Sequence, residues 1–368
     1  MSQSPIVHLN PVYTFFLDGS APAIALSEDI FRRALPLAYE IEDEDGRKIC
    51  GNLAKTPLWT LPRLNAGYHH LKISGENFLS EALLLVAPPK MYSGSHCRLS
   101  EKSPANNFKA LRRQLSDENL TELHYSAPFP CDEDLAVFFR LIQKKNPQTE
   151  ENAFGRNEQA LYLALQSQMP INKDFNDWAN NHYDYNKINS FKTKEFAKRH
   201  PDLTALGELA LKEVDDCLRD IASFCRRRNC PVCVHLDMPL VVNIHSFKAW
   251  RDRKILLAKQ LSAPDLADYA PYNPQALENA FYEPFILLLR QSMAYADVLC
   301  FDHPLFMRQI SCRDTPFPDK KIEYDLSALL AMIAIESNRF RCLIAAADSP
   351  ELTDEFRNRL TSLGICLR

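Results

Sequence analysis

Alternating apolar and polar positions mark the chain between residues 36 and 88. Four runs alternate in this way and are bounded by turn-forming sequences such as DEDG and SGEN, namely PLAYEIED, RKICGN, GYHHLKIS and EALLLVAP. Such alternation predicts short antiparallel strands. We therefore expect a lead-in over residues 1–30 and a small β-rich domain over residues 31–92, followed by a larger domain over residues 93–368.

Helical spacing of apolar residues replaces this alternation beyond residue 104. It predicts helices at NNFKALRRQL, at DEDLAVFFRLIQKK and over the long run LTALGELALKEVDDCLRDIASFCRRR, with a short strand at TELHYSAP. The Arg226–Arg228 run falls at the end of the long helix, where cations suit the helix dipole. Residues 159–200 are polar and aromatic and give no clear prediction.

A repeat of helix and apolar strand fills the last 140 residues. The strands are predicted at CPVCVHLD, DVLCFDH, RCLIAAAD and ICLR, each after a helix. The helix before DVLCFDH is predicted as a single helix over residues 275–296, QALENAFYEPFILLLRQSMAYA. This repeat predicts a parallel sheet with crossover helices. Asp237, Asp302 and Asp348 end three of the strands, and (β/α)8 barrels build their active sites at such strand ends. A Rossmann sheet is the alternative, but no G-x-G-x-x-G sequence occurs.

Composition narrows the class of protein. Lys and Arg number 43 against 47 Asp and Glu, so no basic field favours nucleic acid or an anionic membrane. No apolar run approaches the ~20 residues that span a bilayer, and the start of the chain lacks signal-peptide character. Eleven scattered cysteines fit reduced thiols and a cytoplasmic location. The nine glycines in 368 residues are far below a typical ~7%, whereas loops that cradle a ligand often need glycine.

The run Cys230-x-x-Cys233-x-His235-x-Asp237 has two interpretations. Two cysteines and a histidine would suit a zinc site, and Cys-x-x-Cys would suit redox chemistry. No second half-site with ligand spacing follows, and the run coincides with a predicted strand on which Cys233, His235 and Asp237 share one face. We therefore expect a structural role, with no metal and no cofactor.

Several motifs in fixed order carry a resemblance to a known family. They are PVCVHLDMPLVVNIHSFKAW, YEPFILLLRQSMAYADVLCFDH and IESNRFRCLIAAAD, with SAPD and PYNP between the first two and AGYHHLKI and LLLVAPPKMY upstream. The second half of the chain resembles the amylomaltases, which are 4-α-glucanotransferases of a glycoside hydrolase clan. The resemblance is strongest over residues 196–368. It implies an incomplete or rearranged (β/α)8 barrel of the TIM type behind the small β-rich domain.

The resemblance assigns roles residue by residue. Asp302 occupies the nucleophile position, with His303 beside it, and Cys300 replaces the arginine that steadies the nucleophile in the family. The acid/base glutamate position falls on Ala347, so that function is lost, and the sequence ends at Arg368 before the motif of the third carboxylate. The implied substrate-binding residues are His303, Asp237, Asp265, Asn273 and Trp250. From the residues alone, Asp237 also fits a structural role and Trp250 a core position.

Retaining transfer between sugars uses two carboxylates about 5 Å apart. Asp348 is adjacent to Ala347, but neighbouring strand residues point to opposite faces. We therefore predict a catalytically impaired protein that binds an α-glucan such as glycogen or a maltooligosaccharide. One alternative is an active 4-α-glucanotransferase with a relocated acid, Asp348 or Glu351. Another is a protein-interaction module that reuses the barrel. Open sheet edges predict a covering partner, either a second copy of the chain or another protein.

Overall fold

A computed structural model describes most of both predicted domains. It describes residues 9–19, 22–26, 37–53, 58–75, 78–94, 103–117, 120–127, 135, 158–168, 185, 188–257, 261, 266, 268–312 and 320–368. Asp265 and almost all of the predicted helix DEDLAVFFRLIQKK lie outside the described residues. No helix within these ranges is both long enough and apolar enough to cross a membrane.

The N-terminal part is built on a five-stranded sheet. Its strands lie in the order β1-β7-β6-β3-β4, and they are β1 (Val12–Phe16), β3 (Ala38–Asp43), β4 (Lys48–Asn52), β6 (Gly67–Gly75) and β7 (Phe78–Ala87). Strands β3, β4, β6 and β7 confirm the four alternating runs. β2 (Ala23–Ala25) pairs with β5 (Leu58–Thr60). Two strands thus fall within residues 1–30, for which the sequence predicts only a lead-in.

A second sheet of five parallel strands forms the centre of the C-terminal part. Its strands are β8 (Leu123–Ser126), β9 (Val232–Leu236), β12 (Val298–Phe301), β15 (Leu343–Ala346) and β16 (Cys366–Leu367). They lie side by side in chain order, so the chain crosses the sheet in one direction. A doubly wound sheet reverses direction in its middle, so the Rossmann alternative does not fit. Within the described residues β8 and β16 are the edges, and the covering partner stays a prediction.

Two small antiparallel pairs and the helices complete the described fold. The pairs are β10 (Val241–Asn243) with β11 (Tyr269–Pro271) and β13 (Gln309–Cys312) with β14 (Lys320–Glu323). The helices are α1 (Phe108–Leu115), α2 (Glu158–Ser167), α3 (Phe191–Arg199), α4 (Pro201–Arg227), α5 (Phe247–Asp252), α6 (Pro274–Asn279), α7 (Glu283–Met293), α8 (Leu326–Phe340) and α9 (Asp354–Ser362). Helix α4 confirms the long amphipathic run.

The single helix predicted over residues 275–296 is wrong. It divides into α6 and α7 because Phe281 and Tyr282 adopt left-handed backbone conformations, with φ of 53° and 55°. A proline in the first turn of α7, Pro284, then restarts the helix, a position at which its missing N–H costs nothing.

The two faces of the parallel sheet differ in character. Residues at alternate positions, including Val234, Phe301 and Ile344, belong to the main core together with residues of α7 and α8. The opposite face carries a separate buried cluster of small residues, Cys233, Val298, Cys300 and Ala345. This separation follows from the period of two along each strand. The polar residues considered below lie on the face with the small cluster.

Ion pairs connect the turn after β3 to helices α7 and α8. Glu44 accepts hydrogen bonds from Arg290, at 2.5 Å, and from Arg339. Both arginines also donate to Glu336 at 3.0 Å, and the Glu336 side chain has no exposed surface. Burial opposes ionisation of Glu44, but the two guanidinium groups outweigh it and hold the pKa of this carboxyl below its usual value. These four residues join the N-terminal sheet to the C-terminal part.

Candidate functional site

Four strand ends of the parallel sheet bring four residues into one row. Phe301 is in register with Leu236 and with Ala346, and Ala346 is in register with Leu367. The next residue of each strand therefore continues the row, giving Asp237, Asp302, Ala347 and Arg368 from β9, β12, β15 and β16. Neighbouring strands lie about 4.8 Å apart. Asp302 thus lies between Asp237 and Ala347, the two other positions singled out from the sequence.

Asp302 is held by two basic side chains. His235 Nδ1 lies 2.9 Å from Asp302 Oδ1 and 3.1 Å from Oδ2, and Arg368 donates a hydrogen bond of 2.9 Å to Oδ1. Burial alone would raise the pKa of Asp302, but His235 and Arg368 together outweigh it and hold that pKa below its usual value. Asp302 is therefore ionised at neutral pH, which is the state a nucleophilic carboxylate requires.

Arg368 supplies the cation that the sequence interpretation considered lost. Cys300, two residues before Asp302, is fully buried, and burial raises the pKa of its thiol to about 12, so it stays uncharged. The guanidinium beside Asp302 comes instead from the end of β16, two strands away in the sheet. Sequence reasoning missed this contact because it sought the arginine on the strand of Asp302 itself.

Behind Asp302 the site continues into the protein through two imidazole rings. His235 Nε2 lies 2.9 Å from His124 Nδ1, and His124 Nε2 lies 3.1 Å from Glu122 Oε2. His124 and His235 are both buried, as is Glu122. Burial lowers the pKa of His124, and His235 lowers it further against the contact with Glu122. The sequence predicted that His235 and Asp237 share a strand face, but nothing in it identified Glu122 or His124 as part of the site.

Asp237 and His303 form an exposed pair at the surface, just after the ends of β9 and β12. His303 Nε2 lies 3.3 Å from Asp237 Oδ1, and more than half of each side chain is exposed. Partial burial raises the pKa of Asp237, and Asp302 raises it further, while His303 opposes the shift. Asp237 is therefore the more easily protonated of two adjacent carboxyl groups, since the pKa of Asp302 moves in the opposite direction.

Among the described residues, those on the side of Asp302 away from Asp237 place no second carboxylate beside it. Ala347 donates its backbone N–H to Phe301 O at 2.9 Å and presents only a methyl group beside Asp302. Asp348, the substitute considered from the sequence, is exposed and accepts a hydrogen bond of 2.8 Å from Arg357 of α9. It therefore points away from Asp302, as the alternation along a strand requires.

Trp250 and Asn273, the two remaining predicted substrate-binding residues that the structure describes, have other contacts. Trp250 is 1% exposed, its indole N–H donates to Tyr185 O at 2.8 Å, and it packs in a cluster with residues of α2 and α4. Its ring is therefore not presented to a bound sugar. The Asn273 side chain caps α6 by accepting from Gln275 N and Ala276 N. Among the residues that the structure describes, no three His, Cys, Asp or Glu side chains are grouped to hold a metal ion.

Comparison with known proteins points to one family. The family model for 4-alpha-glucanotransferases, glycoside hydrolase family 77, matches residues 143–367, more than half of the chain. A 4-alpha-glucanotransferase of Haemophilus influenzae is 24% identical over 200 residues, which are 51% of this chain and 29% of that protein.

Two solved structures are similar to this chain. An amylomaltase from Corynebacterium glutamicum superposes with a TM-score of 0.59 at 13% identity, over 98% of this chain and 65% of that chain. An amylomaltase from Streptococcus agalactiae, in complex with acarbose, gives a TM-score of 0.47 at 12% identity, over 70% and 50% of the two chains. The chain thus spans less than two thirds of these relatives.

Proposed function

Since the chain belongs to the 4-alpha-glucanotransferase family, we propose that it is an α-glucan-binding member of that family with little or no transferase turnover. The observation that supports this most directly is the methyl group of Ala347, in register beside Asp302. Retaining transfer needs a carboxylate that attacks and a second one that protonates the departing oxygen. Asp302 is ionised and can attack, whereas Ala347 cannot donate a proton.

The proposed fold is the barrel of the family in incomplete or rearranged form. The parallel strands in chain order and the buried small-residue cluster on one face are what a sector of a (β/α)8 barrel would contain. In such a barrel the carboxyl ends of the strands form the substrate site. The row from Asp237 to Arg368 then lies where an α-glucan would bind, and Asp237 and His303 are exposed for hydrogen bonds to sugar hydroxyl groups.

A second candidate function is an active transferase whose acid is Asp237. Asp237 lies beside Asp302 at about the strand spacing of 4.8 Å, close to the separation of about 5–5.5 Å that retaining enzymes use. Its raised pKa also suits a proton donor, whereas Asp348 is occupied by Arg357. Asp237 is therefore preferred to Asp348 as the relocated acid, and the alternative with Glu351 stays a prediction.

Incubation with maltotriose tests both candidates. We expect glucose release at least about 100-fold slower than that of the Haemophilus influenzae 4-alpha-glucanotransferase assayed in parallel, because acid/base help is worth about 10²–10⁴ in rate. We also expect retarded migration in a glycogen-containing gel. Release at the rate of the control enzyme would contradict the impaired protein.

The Asp237→Asn and Asp302→Asn variants separate the candidates. If wild-type turnover is substantial and both variants abolish it, Asp237 is the relocated acid. If migration in the glycogen gel is not retarded, the binding proposal fails and a protein-interaction module is favoured. Asp348→Asn is a suitable control, since Asp348 is exposed, binds Arg357 and points away from Asp302.

A further inference from the structure

Asp302 is one end of an unbroken line of hydrogen bonds. The line runs from Asp302 to His235, from His235 to His124 and from His124 to Glu122, with N–O and N–N separations of 2.9, 2.9 and 3.1 Å. The groups come from three adjacent parallel strands or the residue beside them. Of the four residues, only Asp302 is partly exposed to solvent, since the other three are at most 5% exposed.

Geometry fixes the number of protons in this line. A contact of 2.9 Å between two imidazole nitrogens requires one proton between them, because two facing lone pairs would repel. The contacts with Asp302 and Glu122 need one proton each for the same reason. The line of four groups therefore holds three protons. Two of these make the imidazoles neutral, and the third leaves the four groups with a net charge of −1, which Arg368 balances at Asp302.

When both imidazoles are neutral, the three protons can occupy two patterns. In the first, Glu122 is protonated, both imidazoles carry their proton on Nδ1, and Asp302 is ionised. Shifting each proton across its own hydrogen bond produces the second pattern, in which Asp302 is protonated, both imidazoles carry the proton on Nε2, and Glu122 is ionised. Only N–H and O–H bonds form and break, and the total charge is unchanged.

Surrounding groups favour the first pattern in the resting protein. Arg368 contacts Asp302 Oδ1 at 2.9 Å and stabilises the ionised form of Asp302. In the second pattern Asp302 would be neutral, and its ionic attraction to Arg368 would be lost. The lowered pKa of His124 also disfavours placing the third proton on that ring. In the described part of the chain, Asp302 also interacts electrostatically with the exposed Asp237 and lies near the neutral thiol of Cys300.

We propose that Glu122 is a buried proton store for Asp302, connected to it through His124 and His235. Glu122 and the two histidines act as positioning and relay residues that set the charge of Asp302 without touching a substrate. The relay gives the site a source of a proton that does not involve Ala347. It is a property of the protein without ligand, so it stands whether or not the chain turns over an α-glucan.

Nuclear magnetic resonance of the imidazole nitrogens tests the relay directly. In protein labelled with ¹⁵N-histidine, we expect His124 and His235 to be neutral at pH 7 with the proton on Nδ1. In Asp302→Asn the amide Oδ1 can accept from Arg368 while Nδ2–H donates to His235 Nδ1, so both rings are expected to change to the Nε2–H form with Glu122 ionised. Glu122→Gln, whose amide can donate to His124 as a protonated Glu122 does, is expected to keep the Nδ1–H form.

The decisive signal is that of His124, which does not contact Asp302. If Asp302→Asn leaves the His124 tautomer unchanged, no relay connects the two residues. An imidazolium at either ring in the wild-type protein would place the third proton there and overturn the assignment to Glu122. Asp302 is partly exposed, so we expect Asp302→Asn to fold. Wild type and Asp302→Asn therefore decide the question even if Glu122→Gln fails to fold. His303→Gln is the control and is expected to leave both tautomers as in wild type.

Discussion

The substitution Ala347→Glu is expected to raise the rate of glucose release from maltotriose by about 10²–10⁴-fold, the usual contribution of acid/base catalysis. The reason is geometric. Residue 347 follows the register pair of Phe301 and Ala346, so a side chain there lies on the same face as Asp302 and one strand away. A glutamate at this position would complete the pair of carboxylates that retaining transfer requires.

Arg368 shapes the expected pH dependence of this variant. Ala346 is in register with Leu367, which places Arg368 beside residue 347 as well as near Asp302. A nearby guanidinium favours the ionised form of a carboxyl group, whereas a general acid must be protonated. The gain should therefore increase as the pH falls, until Asp302 itself begins to be protonated. Because the pKa of Asp302 is held below its usual value, that limit lies below about pH 4.

The matched control for this experiment is Ala347→Gln. Glutamine has the same size as glutamate and fits or distorts the site to the same extent, but it cannot donate a proton as an acid. Initial rates of glucose release should be compared for wild type and both variants between pH 4 and pH 8. If the glutamate variant is no faster than the glutamine variant at any pH, the missing proton donor is not what limits turnover.

The sequence predicted those parts of the fold that depend on local pattern. The period of two located β3, β4, β6 and β7, and the alternation of helix and strand located β9, β12, β15 and β16. The prediction of one continuous helix failed between α6 and α7. Phe281 and Tyr282 are residue types that usually continue a helix, so the sequence contained no sign of their left-handed conformation. It also gave no indication of β10, β11, β13 and β14, which are only three or four residues long.

The candidate site was predictable only where the strand ends themselves carry the chemistry. Asp237, Asp302 and Ala347 follow successive strands, so the parallel arrangement was enough to bring them together. The partners of Asp302 depend instead on which strands are neighbours and on side-chain reach. His124 is 111 residues from His235 in sequence and Arg368 is 66 residues from Asp302. Residue spacing carries no signal for such contacts, whereas the register of the sheet explains each of them.

The substitution Glu336→Gln is expected to lower the free energy of unfolding by about 3 kcal/mol, the lower end of the range for breaking a buried ion pair. Glu336 is fully buried and accepts hydrogen bonds from Arg290 and Arg339. The neutral amide would leave both guanidinium groups without that negative charge at a partly buried site. The two guanidinium carbons lie 5.4 and 5.5 Å from the centre of the Tyr68 ring. Denaturant unfolding at pH 7 measures the change.

Glu44→Gln is the control that separates burial from charge in this cluster. Glu44 binds the same two arginines but is about one third exposed, so solvent screening should limit its loss to about 1 kcal/mol or less. The pKa of Glu44 is lowered on folding, so its contribution is present above its unfolded pKa of about 4.3 and is lost as the pH falls through the folded value. Wild type and Glu44→Gln should therefore converge in stability below about pH 4. A larger loss for Glu44→Gln than for Glu336→Gln at pH 7 would show that the buried carboxylate is not the anchor between the N-terminal sheet and helices α7 and α8.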